Sequence, residues 1–379
     1  MAGRAPSSVA VVVPCLSGAG AQRVAETLAR EFARSTRVTV VTVEPRLTRA
    51  ELAGLDELPW ADRIPPGCRH VHLPSTGSGL RRFGQVVARF SALARRERFD
   101  AVYSFLTWTN VVVSAARAAG GGYLHVASEH AMAESLRSDG AGLSLLARTL
   151  PVVYRRPDRI VVVSDAAARS LGEEGLLPHP ERVVTIPNPV DAAEVQRLAG
   201  ATADPGAPRT AGERVLMCVA RLHAQKDHLT LLRALRALPD RFVLRLVGEG
   251  PLRPELETAV AGMGLTGRVT FTGQLANPYP LMREADVVVL PSREEGFGLV
   301  AVEAAVLGVP FVGSATGGLA EVCAALGHRT FLPGDAEALA TAIEEAAASP
   351  VPAGTAELAA ALFDPAEVAA RYLALAGGG

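Results

Sequence analysis

Short apolar runs rich in β-branched residues alternate along the chain with longer stretches whose apolar positions recur at helical spacing. VAVVVP (9–14), VTVVTV (38–43), AVYSFL (101–106), RIVVVS (159–164) and RVVTIP (182–187) read as strands with helices between them. Strands separated in this way imply βαβ units and a parallel sheet. After Val190 the pattern loosens, and ATADPGAPRTAGE (201–213), rich in Ala, Pro, Gly and Thr, reads as an interdomain linker. A second series follows: VLMCVA (215–220), FVLRLVG (242–248), VTFTG (269–273), DVVVLP (286–291) and PFVGS (310–314). The pattern predicts two doubly wound α/β domains in tandem, over 1–190 and 214–361, joined by a linker at 191–213. Ligands of such sheets sit beyond the carboxyl ends of the strands.

Composition narrows the class. A length of 379 residues suits two domains of ordinary size, and 49% hydrophobic with 20% charged residues excludes a disordered, collagenous or disulfide-stapled chain. The net charge of −1 gives no global footprint for nucleic acid. Cys15, Cys68, Cys218 and Cys323 form no close pairs of the kind zinc ribbons use, so they read as reduced, buried small hydrophobes in a cytosolic protein. The apolar run Val9 to Val13 breaks at Pro14, unlike a signal peptide, and no stretch reaches the roughly 18 apolar residues that a spanning helix needs.

Charge is uneven along the chain. Residues 1–190 carry 23 Arg against 17 acidic residues, a net of +6, and the remainder carries 15 basic and 22 acidic residues, a net of −7. Much of the excess lies in LRRFGQVVARFSALARRERFD (80–100), where Phe83, Val86, Val87, Phe90 and Leu93 recur at helical spacing. This basic amphipathic helix is either a solvated helix packed on the sheet or a peripheral face for anionic lipid or a phosphorylated acceptor.

The most informative segment is PSREEGFGLVAVEAAVLGVPFVGSATGGLAEV (291–322). A strand ends at Leu290, the carboxylates Glu294 and Glu295 follow, Gly296 and Gly298 allow a tight turn, and a helix begins near Leu299. Backbone amides at such a helix N-terminus suit a diphosphate. Glu295 and Glu303, beside an anion, suit hydroxyls of a ribose and a sugar better than the phosphates themselves. In VARLHAQKDHLTLLRAL (219–235), Arg221 and Lys226 place two cations after another strand. Lys226 is the sole lysine among 38 basic residues, which fits either a site wanting a compact point charge or a helix-start lysine kept by chance.

On these residues the chain resembles family 4 glycosyltransferases, the retaining group 1 enzymes with the GT-B fold of two Rossmann-like domains around an interdomain cleft. VARLHAQKD, LVGEGPLRPELE (246–257), VTFTGQL (269–275), EEGFGLVAVEA and GSATGGLAEV carry the resemblance in order, with VSDAAARSL (163–171), IPNPVD (186–191) and FDPAEVAARYLAL (363–375) in support. The last of these corresponds to the family's helix that crosses back onto the first domain, here within 362–379. The resemblance implies that Arg221 and Lys226 neutralise the donor diphosphate and Glu303 holds the ribose. Glu295 would hold the transferred sugar, and the amides of Gly296, Phe297, Gly298 and Leu299 the sugar and diphosphate. Gly248, Glu249, Gln274 and Leu275 would border the nucleobase. Gly20 and Ala21 match a glycine turn that approaches the diphosphate from the first domain, although Ala19 and Gln22 depart from the usual Gly and Glu. His130, in ASEHAM (127–132), matches a histidine beside the transferred sugar; read by itself it is equally a structural histidine. Glu129 and Asn110 are candidate acceptor contacts, with a helix N-cap as the other reading of Asn110.

No two aspartates stand two residues apart, so no Asp-x-Asp site is present for a metal on the diphosphate; metal-independent transfer is expected, with no cofactor besides a nucleotide sugar, a UDP-sugar, as co-substrate. The activity implied is hexosyl transfer, an N-acetylglucosaminyl group among the candidates, to a small-molecule or lipid-linked hydroxyl in a GC-rich bacterium. A sugar-nucleotide 2-epimerase of the same fold and a degenerate sugar-nucleotide sensor remain alternatives. A dinucleotide oxidoreductase fits less well, because GAGAQRV lacks full G-x-G-x-x-G spacing and Glu44 is an isolated match.

Overall fold

A computed structural model describes residues 6–16, 20–43, 64–76, 78–138, 149–201 and 210–377. The chain forms two units, Met1–Pro189 with Phe363–Gly379, and Val190–Leu362. The first holds β1 (Ser8–Val13), β2 (Arg37–Val43), β3 (Arg69–Leu73), β4 (Ala101–Phe105), β5 (Leu124–Glu129), β6 (Arg159–Val162) and β7 (Val183–Thr185). They pair in parallel in the order β3-β2-β1-β4-β5-β6-β7. The second holds β8 (Arg214–Val219), β9 (Phe242–Val247), β10 (Val269–Gly273), β11 (Val287–Leu290), β12 (Phe311–Ser314) and β13 (Arg329–Phe331). These are also parallel, in the order β10-β9-β8-β11-β12-β13.

Helices on both faces explain why the central strands are apolar without alternation: every residue of β1 is buried. The helix Gly20–Phe32 lays Val24, Leu28 and Phe32 on its sheet at i, i+4 and i+8. In the second unit, Leu231, Leu232 and Leu235 of the helix His228–Ala237 and Leu339 and Ile343 of the helix Ala336–Ala348 share a core with Leu244, Leu246, Val287 and Val289. The basic helix runs over Gly79–Glu97, burying Val86, Phe90 and Leu93, and ends at Arg98 in a left-handed C-cap. The helix Pro365–Gly377, started by the Asp364 carboxylate accepting from the backbone of Ala366 and Glu367, packs on the helix Gly20–Phe32.

Two expectations change. Residues 191–213 do not form a plain linker: Asp191 caps a helix, Ala192–Ala199, whose Val195 and Ala199 are buried in the second unit, and 202–209 lie outside the described residues. Of the four free cysteines, Cys218 and Cys323 are buried, but Cys15, just past β1, and Cys68, just before β3, are only half-buried. Among the described residues no helix is long and apolar enough to cross a membrane.

Strand order reverses between β1 and β4 in one sheet and between β8 and β11 in the other. At such a switch point the loops diverge and open a crevice beyond the strand ends. Gly20, Ala21, Asn110, Arg221, Lys226, Glu295, 296–299 and Glu303 follow those strands, and the other candidates lie at the carboxyl ends of neighbouring strands.

Candidate active site

In the second unit the loops after β8 and β11 are stitched together. Lys226 ends a short 3-10 turn, Ala224–Lys226, and its Nζ donates to Glu295 Oε2 at 2.5 Å, with the two side chains 19% and 17% exposed. Asp227 follows in a left-handed conformation, φ 45°, and its carboxylate accepts from Thr230 Oγ1 at 2.9 Å and from Arg293 Nε at 3.0 Å. The backbone N–H of Arg293 donates to Gln225 O at 2.8 Å, so three contacts fix one loop on the other. Arg221 is exposed, three residues beyond the last buried position of β8.

Glycines let the backbones close in. Gly298 is left-handed at φ 91°, where it starts the helix Leu299–Val306, and a Cβ there would lie 2.6 Å from Leu319 Cδ1. Any side chain would therefore meet both strain and a clash. Gly248, at φ 140°, faces the Ala220 carbonyl so closely that a Cβ has no room, and its N–H donates to Gly273 O at 2.8 Å. Leu222 N–H in turn donates to Glu249 O at 3.0 Å, which draws the Arg221 loop against the end of β9. Neither the helix Leu299–Val306 nor the helix Gly317–Leu326 has a side-chain cap, and Gly318 N–H donates to Glu295 O at 2.9 Å. Two helix N-termini thus converge on the segment that carries Glu295, an electropositive setting suited to an anion.

Glu303 is 3% exposed on the second turn of that helix and accepts from Tyr279 OH at 3.0 Å. Phe297 is buried, Leu299 and Leu275 are half-buried, and Gln274 is exposed just after β10. Glu249 is paired with Arg253, whose guanidinium also lies over Phe271. The structure therefore gathers Arg221, Lys226, Gly248, Glu249, Gln274, Leu275, Glu295, 296–299 and Glu303 at the carboxyl edge of one sheet.

The first unit carries its candidates on β1, β4 and β5. Gly20 and Ala21 open the helix after β1; Ala19 and Glu44 lie outside the described residues. Asn110 is fully buried and is not the N-cap: Leu106 holds that position, and Asn110 lies inside the first turn with its N–H on Leu106 O. Its side chain accepts from Ser104 and donates to Ser128 O and Tyr154 OH. Glu129 is fully buried, accepting at Oε2 from Thr107 and Tyr154 and at Oε1 from the backbone of His130 and Ala131. Burial pushes its carboxyl upward in pKa and these four donors pull it back. His130 is half-buried, with Nε2 3.1 Å from Ser128 Oγ, and burial holds its imidazole down at about 4, hence neutral at pH 7.

Residues 18–194 match the family model described as Glycosyltransferase Family 4, and residues 213–349 match the one described as Glycosyl transferases group 1. The chain belongs to this glycosyltransferase family. It is 34% identical over 215 residues to a 2-deoxystreptamine glucosyltransferase of Streptomyces kanamyceticus, a match spanning 52% of this chain and 53% of that protein. Its fold is that of the sucrose-phosphate synthase of Thermosynechococcus elongatus (TM-score 0.75, 22% identity, 97% of each chain covered). It is equally that of the Anabaena protein HepE solved with UDP and glucose (TM-score 0.74, 21% identity, 97% of this chain and 98% of that one). The architecture is GT-B.

Several side chains that hold the candidate residues carry no catalytic signal of their own in the sequence. Tyr279, outside every motif, holds Glu303, and Asp227 and Arg293, inside VARLHAQKD and PSREEGFG but not singled out by residue type, pin the two loops together. Thr107, Ser128, Tyr154 and Tyr372 hold those of the first and are as far as 269 positions from what they touch. Buried hydroxyls of this kind look in sequence like ordinary core or helix residues.

Proposed function

We propose that this glycosyltransferase moves a hexosyl group, glucosyl or N-acetylglucosaminyl, from a UDP-sugar to an acceptor hydroxyl, with retention at the anomeric carbon and without a metal ion. The observation that carries the proposal is the Lys226–Glu295 pair beside two uncapped helix N-termini, with the buried Glu303 one turn on. Arg221, Lys226 and the helix ends stabilise the charge on the departing diphosphate, the work a divalent cation does elsewhere. Glu303 accepts from the ribose and Glu295 from the sugar. Gly248, Glu249, Gln274 and Leu275 border the base, Gly20 and Ala21 approach the diphosphate, and His130 hydrogen-bonds near the anomeric centre. The bond from C1 to the phosphate oxygen breaks with its electron pair leaving on phosphate. That oxygen takes the acceptor hydroxyl's proton, and the new C1–O bond forms on the same face. UDP as the leaving group is supported by the complex of the similarly folded HepE with UDP and glucose.

An aminocyclitol acceptor is favoured by the likeness to the 2-deoxystreptamine enzyme. A lipid-linked acceptor is the second reading: the helix Gly79–Glu97 exposes Arg81, Arg89, Arg95, Arg96 and, at 88%, Leu80. Incubation of UDP-glucose and UDP-N-acetylglucosamine with 2-deoxystreptamine, followed by NMR of the anomeric proton, tests the first. An inverted product would end the same-face mechanism, and conversion of UDP-N-acetylglucosamine without acceptor would favour an epimerase. Failure to pellet with anionic vesicles at low salt would remove the lipid reading.

A further inference from the structure

The imidazole of His130 is held by a relay that begins on the C-terminal helix. Ser128, 1% exposed near the end of β5, has its Oγ 3.1 Å from His130 Nε2 and 3.0 Å from the hydroxyl of Tyr372. Tyr372, also 1% exposed, is itself immobilised. Its ring stacks on Phe105 with centroids 6.2 Å apart, and its carbonyl accepts from Tyr103 OH at 3.2 Å. Phe105 lies on the other side against His130, at 5.9 Å between centroids.

Counting protons gives the relay a direction. Phenol, serine hydroxyl and neutral imidazole each bring one proton, so the chain can point either way. If Nε2–H donated to Ser128 and Ser128 to Tyr372, the phenol proton would need another acceptor; among the described residues Ser128 is the only hydrogen-bond partner of that hydroxyl. A buried O–H with no acceptor costs more than an unused lone pair on the same oxygen. The favourable polarity therefore runs from Tyr372 to Ser128 to Nε2, which leaves the ring proton on Nδ1. The backbone N–H of His130 donates to Glu129 Oε1 at 3.0 Å and fixes the ring's root as well.

We propose that Tyr372 is a positioning residue that, through Ser128, locks His130 as the neutral Nδ1–H tautomer, so that His130 offers its ligand a hydrogen-bond donor at Nδ1. The kinetic consequence rests on the sugar-contacting role proposed for His130; the tautomer does not. The test is long-range 1H–15N NMR of histidine-labelled protein, with the His130 signals assigned by their loss in His130→Gln. Wild type is expected to show Nδ1 at a pyrrole-type and Nε2 at a pyridine-type shift. Tyr372→Phe and Ser128→Ala should each move the ring toward the Nε2–H form in protein that still unfolds cooperatively, at a melting temperature lowered by the loss of one buried hydrogen bond. Each should lower kcat on the order of 10-fold, the scale of one hydrogen bond, and the double variant should lose no more than the worse single one. An Nε2–H ring in wild type, or Nδ1–H retained in both folded variants, overturns the proposal. If transfer activity is missing but the tautomer behaves as stated, the assigned reaction fails and the relay stands.

Discussion

At the ends of β8 and β11, Lys226 and Glu295 meet as charged partners within reach of water; at the ends of β4 and β5, Asn110 and Glu129 are fully buried and His130 is kept neutral. The difference separates two ways of building a site. A partly solvated ion pair can exchange its internal partner for a ligand phosphate or hydroxyl at small net cost. The buried set cannot, because removing any member orphans its neighbours, so it acts by fixing geometry.

The largest effect expected from that contrast is at Lys226. Lys226→Ala should lower kcat/KM for transfer by about 100-fold to 1,000-fold, the scale of losing a preorganised charge at the leaving group, with the melting temperature little changed. A change below about threefold would remove Lys226 from the donor site.

Acid should expose the other plan. Burial holds His125 down at about 3 and, among the described residues, its Nδ1 has no hydrogen-bond partner, so the folded ring stays neutral where the unfolded ring, near the ordinary value of 6.5, takes up a proton. The folded pKa lies below the unfolded one, so the stability is full above about pH 6.5 and falls as pH drops toward 3, by about 1.4 kcal/mol per pH unit for this one ring. Melting curves from pH 7 to 5 should be steeper for wild type than for His125→Asn; equal slopes would mean that His125 is not kept neutral.

Two glycines give the smallest and most local comparison. Gly298→Ala puts a side chain in a left-handed position against Leu319 and should cost about 1–3 kcal/mol, seen in denaturant unfolding. Gly84, inside the helix Gly79–Glu97, has nothing within 4 Å of a built Cβ, and Gly84→Ala should stabilise by about 0.4–1 kcal/mol. Equal effects at the two positions would contradict the close packing assigned to the Gly298 turn.

The same contrast decides what could be read in advance. Continuous Val and Leu runs announced the central strands, and Gly296, Gly298, Glu295 and Glu303 announced the second unit's site, because that site is built from neighbours along the chain. β5, LHVASE, was not legible: His125, Ser128 and Glu129 break its apolar pattern, and what makes them tolerable in the interior is a set of hydroxyls from Thr107, Tyr154 and Tyr372. β3 and β13, RHVHL and RTF, escaped because Arg and His interrupt the one and the other is only three residues long, whereas the edge strands β7 and β10 keep the β-branched pattern in RVVTIP and VTFTG. The N-cap reading of Asn110 failed because the chain passes from β4 to its helix through Leu106 alone, at φ 73°.

Calorimetric titration of UDP tests the donor site most directly, with wild type, Lys226→Ala and Glu303→Ala, each in the presence and absence of a chelator. UDP is expected to bind wild type, to remain bound under chelation and to bind both variants more weakly. Absence of binding, or binding that chelation abolishes and neither substitution alters, would contradict it.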